Sequence, residues 1–117
     1  MTTVLVLDDD QVILDLLQTV LTDAGYQIVL APSLPAVSAD TSVDLVITDL
    51  VPLQAYRRET ALEWIASLRA RFPDSPLVVV TAHADALAED DMLGANAIIA
   101  KPFDVDVLLA KLDELLA

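Results

Sequence analysis

Three short apolar runs in this chain lead directly into side chains that can do chemistry. Val4-Leu5-Val6-Leu7 runs into Asp8-Asp9-Asp10, Leu45-Val46-Ile47-Thr48 into Asp49, and Leu77-Val78-Val79-Val80 into Thr81. A fourth run, Ala97-Ile98-Ile99-Ala100, ends at Lys101-Pro102. Runs of this kind read as buried strands of a parallel sheet. If all four are parallel neighbours, their C-terminal ends share one edge, where open α/β sheets hold their ligands. Carboxylates, one hydroxyl and one ammonium then meet in one crevice. Two unit charges about 4 Å apart repel by about 1 kcal/mol in water and about 4 at an effective dielectric of 20. Asp8, Asp9 and Asp49 together therefore favour a hard cation. Mg²⁺ takes octahedral oxygen ligands, keeps waters and bridges carboxylates to a phosphate. With that charge neutralised, a carboxylate can attack phosphorus to give an aspartyl phosphate. Lys101 and the Thr81 hydroxyl are then available to the phosphoryl oxygens.

The elements that must position these groups alternate strand and helix five times, the pattern of a parallel sheet covered on both faces. After the first strand, Val12, Ile13, Leu16, Leu17, Val20 and Leu21 recur at helical spacing, with Asp10 as cap and Gly25 as stop. A second strand spans Ile28 to Ala31. Pro32 and Pro35 leave little room for a second helix, roughly Leu34 to Ala39. A polar segment from Gln54 to Thr60 precedes a third helix marked by Leu62, Ile65 and Leu68, which ends before Pro73. A fourth helix is predicted over Ala84 to Leu93, stopped by Gly94. The fifth starts near Asp104 and carries Val105, Leu108, Leu109, Leu112, Leu115 and Leu116.

At 117 residues the chain reads as one domain over 1–117, and 56% hydrophobic residues with a mean hydropathy of +0.59 supply ample core. No apolar stretch approaches the roughly 20 residues of a membrane span, and Met1-Thr2-Thr3 carries no basic region of a secretory signal. Without cysteine there is no disulfide or thiol chemistry, which suits a cytoplasmic location. A formal charge of −13 argues against direct nucleic-acid binding and against anionic membranes. Only two lysines exist, Lys101 and Lys111, and one of them stands at a strand end. The chain stops with its last helix, so an output domain is expected to be absent or to lie outside this sequence.

The stretches Val6-Leu7-Asp8-Asp9-Asp10, Val46-Ile47-Thr48-Asp49-Leu50, Val79-Val80-Thr81-Ala82, Gly94-Ala95 and Lys101-Pro102-Phe103 stand in the order and spacing of a known family. Over essentially its full length the chain resembles the receiver domain of two-component response regulators, close to the single-domain chemotaxis type. The resemblance implies a flavodoxin-like, doubly wound five-stranded parallel sheet of order 2-1-3-4-5 with five helices on its two faces. It implies that Asp49 accepts a phosphoryl group from a histidine kinase or phosphotransfer protein, and that a downstream protein reads the result. By the same transfer Asp9 ligates Mg²⁺ directly, Asp8 mostly through water, and Asp49 and the Val51 carbonyl complete the protein ligands. Lys101 would hold the phosphoryl group, Thr81 would be the switch hydroxyl, and the Lys101–Pro102 bond would be cis. Such a protein turns over no external substrate; it catalyses only its own phosphorylation and dephosphorylation.

Two departures stand out against that pattern. Ile98 occupies the position, three before Lys101, where the family usually has an aromatic ring that swings inward with the switch hydroxyl. The loop after Asp49 brings Pro52 one residue early, and Gln54-Ala55-Tyr56-Arg57-Arg58-Glu59 replaces the expected glycine. These keep a second reading open, a pseudo-receiver whose partner binding ignores phosphate. A third, a small haloacid-dehalogenase-type phosphohydrolase, fits Asp8-x-Asp10 but would need a late acidic pair after a strand. Glu89-Asp90-Asp91 instead reads as a solvated helix face. Arg57 and Arg58 read as a solvated loop, His83 as an exposed loop residue, and Trp64 and Phe103 as packing.

Overall fold

The protein is described by a computed structural model covering residues 2–50 and 56–117. Five strands, β1 (Thr3–Leu7), β2 (Gln27–Ala31), β3 (Leu45–Thr48), β4 (Leu77–Thr81) and β5 (Ala97–Ala100), form one parallel sheet of order β2-β1-β3-β4-β5. This is the predicted doubly wound arrangement. Alternate strand residues face opposite layers, so each apolar run feeds two cores. Val4, Val6, Leu45, Ile47, Val78 and Val80 pack with Leu14, Leu17 and Leu21 of α1 (Gln11–Asp23) and Leu108 and Leu112 of α4 (Val105–Leu116). Leu5, Leu7, Val46, Leu77 and Val79 pack on the other face with Ala61, Ile65 and Leu68 of α2 (Arg58–Arg71) and Ala86 of α3 (Ala84–Leu87). Fully burying such aliphatic side chains is worth about 1.5–3 kcal/mol each, and this is what holds the strand ends at fixed positions.

The described residues contain four α-helices, not the predicted five. Pro32 and Pro35 reduce the second to a 3₁₀ turn over Leu34–Ala36, because proline donates no backbone hydrogen bond to extend it. The predicted helix from Ala84 to Leu93 breaks after Leu87. The Asp91 carboxylate accepts the Leu93 N–H at 3.0 Å, and Met92, Leu93 and Gly94 all take positive φ. A short polar side chain here outcompetes the helical hydrogen bond, and Leu93 is turned inward, only 1% exposed. Helix α2 begins earlier than predicted, at Arg58, inside the segment read as polar loop.

The other helix ends follow the predicted chemistry. Asp10 accepts the Val12 N–H at 2.9 Å and Asp104 accepts the Asp106 N–H at 2.8 Å, each satisfying a free donor of the first turn. Beyond α1, Gly25 takes φ +96°, the left-handed conformation that turns the chain into β2.

Candidate functional site

The sheet's hydrogen-bond ladder continues one residue past its strands, and this aligns the polar side chains. The Asp8 N–H donates to the Ala31 carbonyl at 3.2 Å, the Asp49 N–H to the Leu7 carbonyl at 2.9 Å, and the Lys101 N–H to the Thr81 carbonyl at 2.9 Å. Asp8 and Asp49 therefore leave adjacent strands at the same edge, with Lys101 reaching back from β5. Lys101 Nζ lies 2.8 Å from Asp8 Oδ2 and 3.1 Å from Asp49 Oδ2. The peptide between Lys101 and Pro102 is cis, as the resemblance implied. One carboxylate oxygen each from Asp8, Asp9 and Asp49 lies within 4.8 Å of the others. Asp8 is buried, Asp49 half-buried and Asp9 exposed, so the cluster opens to solvent on one side.

Burial pushes the Asp8 carboxyl above its ordinary value. The Lys101 ammonium and the Asp10 N–H, donated to Asp8 Oδ1 at 2.9 Å, oppose this, but desolvation prevails and the Asp49 charge adds to it. Burial pulls the Lys101 ammonium down, yet its two carboxylate partners outweigh that and hold it above the usual lysine range. Three carboxylates thus face a single ammonium. A set of hard oxygen donors with excess negative charge, converging within one ion's reach, is the donor chemistry that Mg²⁺ prefers.

Asp49 is held from several directions. Its Oδ1 accepts the Leu50 N–H at 2.8 Å, leaving Oδ2 toward Lys101. Thr48 Oγ1 lies 2.6 Å from the Asp49 carbonyl, and Trp64 Nε1 lies 3.0 Å from that same hydroxyl. Trp64, read from sequence as packing alone, thus carries a hydrogen bond to the residue beside Asp49. An indole sixteen positions from Thr48 offers no local sequence signal for such a contact. Thr81 is fully buried, and its hydroxyl accepts the His83 N–H at 3.1 Å.

Of the residues picked out from sequence, Asp8, Asp9, Asp49 and Lys101 come together through their side chains, and Thr81 joins them through its main-chain bond to Lys101. The Val51 carbonyl, Pro52 and Gln54-Ala55 lie outside the described residues. Ile98 is half-buried against the same apolar cluster as Tyr56. Four peripheral residues differ from their predicted roles. His83 is half-buried, opens α3 as its N-cap, and its ring centroid lies 6.3 Å from that of Tyr56. Arg58 is not a loop residue: it stands in the first turn of α2 and pairs with Asp91 at 2.8 Å and with Glu89. Those two acids, read as one helix face, lie between α3 and the following 3₁₀ turn.

This constellation can be set beside known proteins. The family model described as "Response regulator receiver domain" matches residues 4–113. The chain belongs to the response regulator receiver family. Among curated relatives, this receiver is 33% identical over 119 residues to the transcriptional regulatory protein GlrR of Escherichia coli strain K12, covering 96% of this chain and 26% of GlrR. It is 32% identical over 117 residues to the transcriptional regulatory protein KdpE of Mycobacterium tuberculosis strain H37Rv, covering 96% of this chain and 50% of KdpE. The receiver therefore spans between about a quarter and a half of the curated relatives it matches. Among solved structures, a response regulator from Thermotoga maritima superposes with a TM-score of 0.81 at 25% identity, covering 99% of this chain and 98% of that one. The response regulator TrrA of Thermotoga maritima, solved in complex with Mg²⁺-BeF, superposes with a TM-score of 0.78 at 27% identity, covering 99% of this chain and all of that one.

Proposed function

We propose that this receiver is a phosphoaspartate switch of a two-component or phosphorelay system, acting in the cytoplasm. Asp49 accepts a phosphoryl group from a phosphohistidine of a histidine kinase or phosphotransfer protein, and the modified receiver changes its affinity for a downstream protein. Neither nucleic acid nor membrane is a direct partner, given the −13 formal charge. The observation that carries this reading is Lys101 Nζ shared between Asp8 and Asp49 at the sheet edge.

In the transfer, a carboxylate oxygen of Asp49 forms the O–P bond of an acyl phosphate as the P–N bond of the donor breaks and the imidazole leaves. Lys101 moves from pairing with carboxylates to pairing with a phosphoryl oxygen, keeping a charge-assisted hydrogen bond throughout. Thr81 turns its hydroxyl toward the same group. Asp8, Asp9, Asp49 and the Val51 carbonyl would hold Mg²⁺, which when bound neutralises the phosphoryl oxygens and the crowded carboxylates. TrrA was solved in complex with Mg²⁺-BeF, which supports Mg²⁺ as the ion this receiver would take. The receiver turns over no external substrate; hydrolysis of its own acyl phosphate resets it.

The test is incubation with Mg²⁺ and a small phosphodonor such as acetyl phosphate, followed by intact-mass measurement. One phosphoryl addition per chain is expected, cleaved by hydroxylamine, dependent on Mg²⁺ and lost in Asp49→Asn. An unmodified wild-type chain would exclude the proposal and leave a phosphate-independent binding module in its place.

A further inference from the structure

We infer that Trp64 and Thr48 are positioning residues for the Asp49 carboxylate, acting through the single peptide unit between Asp49 and Leu50. The inference rests on the reading of Asp49 as phosphoacceptor. Its starting point is the direction of the hydrogen bonds. Indole nitrogen can only donate, so the Thr48 oxygen, 3.0 Å away, must accept from Trp64. The one hydroxyl proton of Thr48 is then left for the Asp49 carbonyl, 2.6 Å away. Thr48 is wholly buried, so water does not reach its hydroxyl.

The Asp49 carbonyl and the Leu50 N–H belong to one planar, trans peptide and point in opposite directions. Fixing the carbonyl on one side therefore fixes the N–H on the other. That N–H donates to Asp49 Oδ1 at 2.8 Å and so sets the rotation of the carboxylate. Oδ2 is thereby presented to Lys101 Nζ at 3.1 Å. The run Trp64, Thr48, Asp49 C=O, Leu50 N–H, Asp49 Oδ1 is continuous, and the main chain at its start is pinned by the Asp49 N–H to Leu7 carbonyl bond at 2.9 Å. Without the Thr48 hydroxyl the peptide is free to rock, and the carboxylate loses its preset aim. Reactions that depend on an aligned attack are sensitive to this: a misplacement of about 1 Å can cost about a hundredfold in rate.

The experiment compares Thr48→Val, Thr48→Ser, Trp64→Phe and the pair Thr48→Val with Trp64→Phe. The rate of Asp49 phosphorylation by acetyl phosphate is measured at saturating Mg²⁺, with Mg²⁺ affinity measured separately by calorimetry. Thr48→Val, which keeps the side-chain shape, is expected to slow phosphorylation about tenfold. Thr48→Ser should restore it to within about twofold of wild type, and Trp64→Phe should fall between. The pair should be no slower than Thr48→Val alone, because Trp64 acts through the hydroxyl that is already gone. Rates within twofold of wild type in Thr48→Val, or effects of the two changes that multiply in the pair, would overturn the inference. A merely structural role would lower the melting temperature of Thr48→Ser and Thr48→Val alike, without the rescue. If the wild-type chain takes up no phosphoryl group, the phosphoacceptor reading itself has failed. The hydrogen-bonded chain is then judged by metal-free Trp64 emission, which must differ between Thr48→Val and Thr48→Ser if the indole is bonded to the hydroxyl. Identical emission would overturn it on that ground as well.

Discussion

Lys101→Met tests how the ammonium and the carboxylates depend on one another. At an effective dielectric of 20, an ammonium 2.8 Å from Asp8 and 3.1 Å from Asp49 has gross Coulomb attractions of about 6 and about 5 kcal/mol. Most of this offsets the cost of withdrawing the charges from water, so the net worth of the cluster is far smaller. Removing the ammonium alone is different, because Asp8, 2% exposed, is left charged without a partner. Breaking a buried pair in this way typically costs about 3–5 kcal/mol. Protonation of Asp8 sets the ceiling. From an ordinary value of 3.8, carrying the proton costs about 4.4 kcal/mol at pH 7 and about 1.6 at pH 5. Burial already holds the folded-state Asp8 above that ordinary value, and loss of Lys101 raises it further. A native state that binds the proton more tightly than the unfolded chain gains stability as the pH falls through the raised value. The deficit of Lys101→Met is therefore expected to be about 3 kcal/mol at pH 7 and at most about 1.5 at pH 5. Urea unfolding in a chelator measures it; with a slope near 2 kcal/mol per molar, the pH 7 midpoint falls by about 1.5 M. Equal deficits at both pH values, or less than about 1 kcal/mol at pH 7, would refute the reasoning.

Three further outcomes are expected. Asp10→Ala removes the acceptor of the Val12 N–H and should cost about 1 kcal/mol in urea unfolding, with Asp10→Asn recovering most of it. Leu108→Ala hollows the core beneath the α1 and α4 layer, where the side chain is fully buried, and should cost about 2–5 kcal/mol with the slope unchanged. Mg²⁺ at a hundred times its dissociation constant should stabilise the wild-type chain by about 2.7 kcal/mol, and Asp9→Asn should abolish most of that gain in the same thermal or urea assay.

The strands were legible because each is a run of apolar residues ended by a polar one, and parallel strands buried on both faces need nothing more. The same runs delivered Asp8, Asp49, Thr81 and Lys101 to one edge, since the ladder simply continues past Leu7, Thr48 and Ala100. Where the sequence reading fell short, side chains compete with the backbone. Asp91 takes the Leu93 N–H and breaks a helix that Ala84 to Leu93 composition favours, while proline shortens another to a single turn. Arg58 looked like loop charge because its partners, Glu89 and Asp91, lie some thirty residues downstream. Trp64 looked like packing for the same reason: the hydroxyl it reaches is brought to it only by the docking of α2 on β3.

The most direct test of the site as a whole is to locate the modification at residue level. After treatment with Mg²⁺ and acetyl phosphate, borohydride reduction converts an acyl phosphate to homoserine, which peptide mass mapping places in the chain. Homoserine at position 49 alone, absent without Mg²⁺ and strongly reduced in Lys101→Met, is the predicted result. Homoserine at Asp8 or Asp9, or the same yield at position 49 with Mg²⁺ removed, would contradict the assignment of nucleophile and metal ligands.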